Sequence, residues 1–263
     1  MPVLPSLLSI RTRMTVPMKS PDQISNLVLW LDANSGVFDA TSGGNLVTSD
    51  NGDIYRWEDR SSNAYHVTQA TQSRTPKLRT NFLNSKNVVQ YTSSAQILES
   101  TAFSQGLTTM TNFCVAYSNS AGGASNGRIF EIGNNTSASS TRLSGFNTSV
   151  LKFRTFAGNS IGQEVAWVNS QWNIYSNSWN GGNSGATSMT SKFNRRITTA
   201  PANTSGSSTS ASGGKLQIGN RNNVSSFDRQ WDGYIAEIII YGAALGVNDV
   251  YAVENYLAEK WGL

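Results

Sequence analysis

The chain has 263 residues, of which 38% are hydrophobic and 14% charged, and it carries a net charge of +4. That length holds one large domain or two small ones, and all-β domains of this size are common. The low charge, the abundance of Ser, Thr, Asn and Gly, and the aromatic content exclude a disordered chain. With Arg11, Arg13 and Lys19 set aside the body is near neutral, which argues against a nucleic-acid-binding face.

In chain order, residues 1–25 come first, with Pro2, Pro5, Pro17 and Pro21 breaking up Leu4, Leu7, Leu8, Ile10 and Val16. This stretch is too apolar for a free tail and too rich in proline for a helix, so it predicts an extended arm. The arm is expected to dock either on the body or on a neighbouring subunit. Arg11 and Arg13 follow its short apolar part instead of preceding it, which is the wrong order for a secretory signal. No apolar run reaches the length of a membrane span, so no membrane insertion is expected.

Leu27 to Asp32 is the first strong strand, and Asp32-Ala33-Asn34-Ser35-Gly36 ends it with turn chemistry. Ile54–Trp57, Val88–Tyr91, Phe113–Tyr117, Arg128–Ile132, Leu151–Phe156, Val165–Val168, Trp172–Trp179 and Leu216–Gly219 read as further strands, separated by Gly-rich and Asn-rich turns. Thr198 to Gly214 is a low-complexity loop. Ile235 to Tyr241 is a dense apolar strand interrupted only by Glu237, which must find a hydrogen-bonding partner or lie at an edge. Gly246 caps a helix whose apolar stripe is Val250, Val253, Leu257 and Trp261, and Gly262 stops it. Many strands spaced by polar turns, closed by one short helix, predict an all-β, two-sheet antiparallel sandwich.

Several of these segments resemble a known family. Leu29-Trp30-Leu31-Asp32-Ala33, Trp57-Glu58-Asp59-Arg60-Ser61, Gly233 to Tyr241 and the helix ending Lys260-Trp261-Gly262-Leu263 resemble the concanavalin A-like, or laminin-G-like, domains of phage and viral structural proteins and of bacterial surface proteins. The resemblance covers about residues 26–263 and implies a jelly-roll fold. It implies no single function, because that fold hosts lectins, hydrolases and scaffolds.

The chemistry-bearing residues are sparse. His66 is the only histidine and Cys114 the only cysteine, so a His- and Cys-rich zinc site and an intrachain disulfide are excluded; a catalytic triad could use only His66, which reads instead as a strand residue on a polar face. Cys114 reads as a small buried filler. Glu131, Glu164 and Glu237 are each alone in their strands, so no strand presents the paired acids of a glycosidase, and no enzymatic activity is expected. Asp50-Asn51-Gly52-Asp53 has the composition of a calcium loop through Asp50 and Asp53, and equally that of a hairpin turn. Asp32 and Asp59 are expected to accept from loop backbone amides. Lys192, Arg195, Arg196, Lys215 and Arg221 fall in an acid-free span that reads as a solvated face. Trp179 and Asn180 stand at the mouth of a Gly-rich loop, where they could stack on and bind a glycan; packing in the core is the competing reading of Trp179.

The expected function is a non-enzymatic virion component, such as a capsid decoration, spike or tail-fibre subunit. It would dock on other virion proteins or on copies of itself through Leu4, Leu7, Leu8, Ile10, Arg11 and Arg13. The alternative is a lectin-like module that binds surface glycans, located extracellularly or on a cell surface, with calcium as its one candidate cofactor. A degenerate hydrolase is the third reading.

Overall fold

The computed structural model describes residues 16–92, 95–123, 127–133, 145–147, 150–157, 159–166, 169–197, 203–204, 214–223, 226–227 and 229–263. Leu4, Leu7, Leu8, Ile10, Arg11 and Arg13 lie outside them, as does most of Thr198 to Gly214. The chain folds as the expected antiparallel jelly-roll sandwich.

The main sheet has eight strands. Across it run Arg196–Ile197, Met189–Phe193, Trp172–Trp179, Met110–Ser118, Gly233–Tyr241, Lys86–Tyr91 and Lys77–Leu83. The central strand, Gly233–Tyr241, divides its second edge between two partners: its start pairs with Lys86–Tyr91 and its remainder with Leu27–Asp32. The facing sheet has six short strands in the order Val37–Phe38, Arg56–Trp57, Val67–Thr68, Leu98–Glu99, Lys215–Ile218 and Phe130–Gly133. Between the two sheets lies a core that includes Leu29, Leu31, Trp57, Leu98, Cys114, Phe130, Ile218 and Ile238. Burial pushes the Cys114 thiol far up its pKa scale, which keeps it an inert filler.

A second core joins the outer face of the main sheet to the C-terminal helix, Val247–Trp261. Gly246 and Gly262 cap that helix, and Gly262 adopts φ 70°, a left-handed geometry that glycine takes without penalty. A 15-residue helix is marginal alone, so its stability comes from the buried stripe of Val250, Val253, Leu257 and Trp261.

Two buried carboxylates fasten helix to sheet in opposite directions. In regular alternation Glu237 would share a face with Ile235 and Ile239. A β-bulge between Ile235 and Glu237 shifts the register against Met110–Ser118. Ala236 therefore packs in the helix-side core while Ile235 and Ile238 pack between the sheets, and Glu237 turns to the helix. There its Oε1 accepts from Trp30 Nε1 at 2.7 Å and the Tyr256 hydroxyl at 3.0 Å, and its Oε2 from Lys260 Nζ at 2.8 Å and Trp261 Nε1 at 2.6 Å. Burial pushes this carboxyl above its usual range, and Lys260 opposes the shift. Glu254 returns the contact from the helix, accepting from Ser176 Oγ at 2.7 Å and Lys192 Nζ at 3.3 Å. Lys192 is thus buried, which corrects the solvated reading of that residue; Arg221 is buried too, whereas Arg195 and Arg196 are exposed as expected.

The described part of the N-terminal stretch lies on the body of its own chain. Lys19 Nζ sits 2.7 Å from Asp249 Oδ1, Asn255 Nδ2 donates to the Val16 carbonyl at 2.7 Å, and the Tyr241 hydroxyl donates to the Pro21 carbonyl at 2.9 Å. Ile24 is buried in the helix-side core.

Replacing Glu237 by Gln leaves four donors facing one amide that itself donates. The expected cost is about 3 kcal/mol or more, the usual penalty for breaking a buried charged network. Urea unfolding of E237Q checks this, and a loss below about 1 kcal/mol would show that the network is not what holds the helix.

Candidate functional site

Four aromatic side chains meet on the helix side of the main sheet, at the edge of the helix-packed core. Tyr234, Tyr117 and Trp172 form a cross-strand row, because Tyr234 pairs with Tyr117 and Tyr117 with Trp172. Their ring centroids are 5.6 Å apart for Tyr117 and Tyr234, 5.7 Å for Tyr117 and Trp172, and 6.1 Å for Trp172 and Tyr234. Phe82 joins from the neighbouring hairpin at 4.5 Å from Tyr234 and 6.4 Å from Trp172. That hairpin turns through Asn84 and Ser85, both at positive φ, the signature of a tight type I′ turn. A register irregularity between Arg79 and Leu83 brings Phe82 and Leu83 to the helix side together.

Phe82 is 40% exposed, and Tyr117, Trp172 and Tyr234 are half-buried. Gly233 keeps the strands close beside these rings: a Cβ there would stand 2.1 Å from the Tyr117 carbonyl oxygen, and its φ is 147°. Polar groups edge the rings. Gln90 Nε2 donates to the Tyr234 hydroxyl at 3.2 Å and its Oε1 accepts from Arg79 at 3.1 Å, while the Arg79 guanidinium lies 5.3 Å from the Phe82 ring centre. Exposed Gln171 flanks Trp172.

Asp50 and Asp53 hold the neighbouring cations. Asp50 accepts from Arg79 Nε at 3.0 Å and from the Thr80 amide at 2.9 Å. Asp53 accepts from Lys77 Nζ at 2.6 Å, from Gln72 and from Thr75. For Asp53, burial pushes the pKa upward, but the bonds from Lys77, Thr75 and Gln72 outweigh it, so the pKa falls below its usual value. Asn51 sits at φ 62°, and the Gly52 amide bonds to the Ser49 carbonyl at 3.1 Å, as in the expected turn. Calcium at this loop would have to displace Arg79 and Lys77. Among the described residues, no group of three or more His, Cys, Asp and Glu side chains is placed to hold a metal ion.

The loop tryptophan sits elsewhere. Trp179 is 2% exposed, packs in the core between the sheets and donates through Nε1 to the Gly182 carbonyl at 2.8 Å. It offers no ring face to solvent, and the core reading of Trp179 is the one the geometry supports. Asn180 is exposed, with its side chain turned back to the Gly182 amide at 3.0 Å. Trp172 and Trp179 are seven residues apart, so strand alternation places them on opposite faces.

On the facing sheet, Phe38, Arg56, Thr68, Glu99, Gln217 and Glu131 form one row across six strands. It brings two carboxylates to one face two strands apart, about 9–10 Å by strand spacing. Neither is a free acid: Glu131 is 2% exposed and ion-paired with Arg128 at 2.9 Å, and Glu99 accepts from Gln217 Nε2 at 2.7 Å. His66 plays a local role, its Nδ1 accepting from the Asp59 amide at 3.1 Å. Asp59 in turn accepts from the Trp30, Ser61 and Tyr65 amides, and Asp32 from the Asn34 amide, as expected of both.

No protein-family profile and no curated protein sequence matches the chain. Solved structures do. The HCR/D F1240A mutant superposes with TM-score 0.55 at 9% identity, over 87% of this chain and 50% of that one. The Trypanosoma rangeli sialidase in complex with 2,3-difluorosialic acid gives 0.54 at 10% identity, over 90% of this chain and 33% of that one. A carbohydrate-binding module, the Ruminococcus gnavus IT-sialidase CBM40 bound to α2,3-sialyllactose, gives 0.46 at 10% identity, over 64% and 95%. The chain therefore spans a third to a half of the two larger proteins. At these identities the likeness is one of fold.

The depressed pKa of Asp53 fixes a sign. Its ionised form favours the folded state, a contribution present above the unfolded value of about 4 and lost as the pH falls through the lower folded value. Asp53→Asn should therefore cost no more than about 1 kcal/mol at pH 7, because the pair is partly solvated, and the difference should close as the pH falls through the lowered folded value. Urea titrations at pH 7 and pH 2.5 measure both.

Proposed function

We propose that this chain is a glycan-binding module acting outside the cell or at a cell surface, and that the ring platform of Phe82, Tyr117, Trp172 and Tyr234 is its binding face. The observation that carries the reading is that these four rings share one sheet face, remain open to solvent and are edged by amide and guanidinium donors. A pyranose has an apolar C–H face and a rim of hydroxyls. Ring faces cover the first, and amides answer the second.

Charge refines the ligand class. Two cations of the rim, Arg79 and Lys77, are each paired with an aspartate, so neither is free to neutralise a carboxylate. A neutral hexopyranose fits such a face without needing a carboxylate to neutralise it. The described helices supply no span long and apolar enough to cross a membrane. The virion reading rests on the apolar, proline-rich arm at residues 1–25, on sparse catalytic groups, on the want of a secretory signal and on a single standalone domain, and no observation among the described residues favours it over glycan binding.

An array carrying neutral and sialylated glycans, with and without calcium, tests the proposal. The wild type should retain neutral glycans in both conditions. Trp172→Ala and Tyr234→Ala should each weaken binding tenfold or more, equivalent to about 1.4 kcal/mol. Thr68→Ala, on the facing sheet, should change nothing. A blank array, or binding lost with Thr68→Ala and kept with Trp172→Ala, would overturn the assignment.

A further inference from the structure

Asp32, Glu237 and Lys260 meet where the first strand joins the last helix, and little solvent reaches them: their side chains are 3%, 0% and 14% exposed. Lys260 Nζ lies 2.8 Å from Asp32 Oδ2 and 2.8 Å from Glu237 Oε2. Trp30, Tyr256 and Trp261 wall the cluster. Their two indoles and one phenol donate to Glu237, and the Tyr256 and Trp261 ring centres stand 5.3 and 5.1 Å from Nζ. Ions in so dry a place carry a heavy desolvation cost, and a condensation that consumes an ammonium and a carboxylate removes part of it.

The contacts of Lys260 differ in kind. It donates hydrogen bonds to Glu237 at 2.8 Å and to the Tyr256 hydroxyl at 3.0 Å, but it approaches Asp32 without the alignment of a hydrogen bond. No such bond fixes the nitrogen in the carboxylate plane, and the Asp32 carboxyl carbon is one bond beyond the oxygen that Nζ touches. The Asn34 amide donates to Asp32 Oδ1 at 3.0 Å, while Ser35 Oγ and Arg60 Nη1 donate to Oδ2 at 2.9 and 2.8 Å. These donors draw charge from the carboxylate, and the Asn34 amide stands where an oxyanion on Oδ1 would form. Glu237 suits a proton in transit, because burial pushes its pKa above the usual carboxylate range. A strand and a helix hold the two partners rigidly, which supplies the proximity that a slow condensation needs.

We propose that Lys260 and Asp32 condense to an isopeptide bond, with Glu237 as proton carrier, so that the last helix is tied covalently to the first strand. Glu237 takes one proton from the Lys260 ammonium. The freed amine attacks Asp32 Cγ, the Nζ–Cγ bond forms, and an electron pair moves onto Oδ1 beside the Asn34 amide. As that pair returns, the Cγ–Oδ2 bond breaks. Oδ2 departs as water, with the proton held by Glu237 and a second proton from Nζ. One ammonium and one carboxylate become one amide and one water; nothing is oxidised or reduced, and Glu237 ends as it began. Arg60, with 39% of its side chain exposed, sits against the departing oxygen and marks the side on which water leaves. The ion cluster is the precursor of the bond, and the bond is independent of the glycan platform.

Mass spectrometry of the denatured full chain tests it, with Lys260→Arg prepared alongside. The wild type should weigh one water less than its sequence, and Lys260→Arg should show its full mass. Trypsin should leave a branched peptide joining residues 20–56 to residues 230–263, because an acylated Lys260 is not cleaved. On a denaturing gel the wild type should run faster than Lys260→Arg, since the cross-link keeps the unfolded chain closed in a loop. Glu237→Gln should keep its full mass. Leu257→Ala, which loosens the same helix from its apolar stripe, should still lose the water, so the pair separates proton transfer from packing. A wild type at full mass whose digest releases Trp261-Gly262-Leu263 would leave an ion triad and overturn the inference. Cross-linking in Glu237→Gln, or its absence from both Glu237→Gln and Leu257→Ala, would overturn the role given to Glu237.

Discussion

One carboxylate governs how this sandwich is closed. Glu237 lies at the centre of the main sheet with no exposed surface and accepts from two indoles, a phenol and an ammonium. A buried charge is tolerated only when its lone pairs are answered, and here all four donors come from the first strand and the last helix. The bulge that turns Glu237 to that side is therefore as much a part of the helix-docking machinery as the apolar stripe. Lys260 extends the network to Asp32 at 2.8 Å, and Arg60 stacks over Trp30 while bonding Asp32, also at 2.8 Å. The first strand and the last helix are thus fixed by one connected set of charges, with Glu254 and Lys192 securing the far strands.

Locking the helix in one place leaves the rest of the face uncovered. A helix of 15 residues is about 22 Å long and about 10 Å wide, whereas the sheet, seven strands across because two of its eight share one edge of the central strand, spans about 29 Å. The sheet face is larger than its cover, so residues pointing outward beyond the helix must be polar or must serve a purpose. Here they are rings: Trp172, Tyr117 and Tyr234 continue the row pattern that under the helix is filled by Ile174, Val115 and Ala236. Placing the platform on paired central strands instead of loops gives it a rigid geometry, which lowers the entropy lost on binding.

Much of this was legible in the residues. The alternation of Trp172–Trp179, the apolar run at Ile235–Tyr241 and the caps at Gly246 and Gly262 define elements that local chemistry alone sets. The need of Glu237 for partners followed from its position in an apolar strand; which partners did not, because they come from Trp30, more than two hundred residues away, and from a helix face. For Trp179 two readings stood open, core packing and a ring exposed at a Gly-rich tip, and the indole closes the inter-sheet core. The platform was illegible for a related reason. Phe82, Tyr117, Trp172 and Tyr234 belong to four strands, and only pairing register brings them together. The same holds for Glu99 and Glu131, each solitary in its own strand yet members of one row.

The account depends on Trp172 being the indole that meets ligand while the remaining described tryptophans stay inside. Indole N–H resonances of the intact protein, followed by nuclear magnetic resonance during titration with a neutral oligosaccharide, separate these possibilities directly. The account predicts that the Trp172 signal moves in proportion to occupancy and that those of Trp30, Trp179 and Trp261 stay fixed. Movement confined to Trp179, or no movement of Trp172 at saturating sugar, would contradict it.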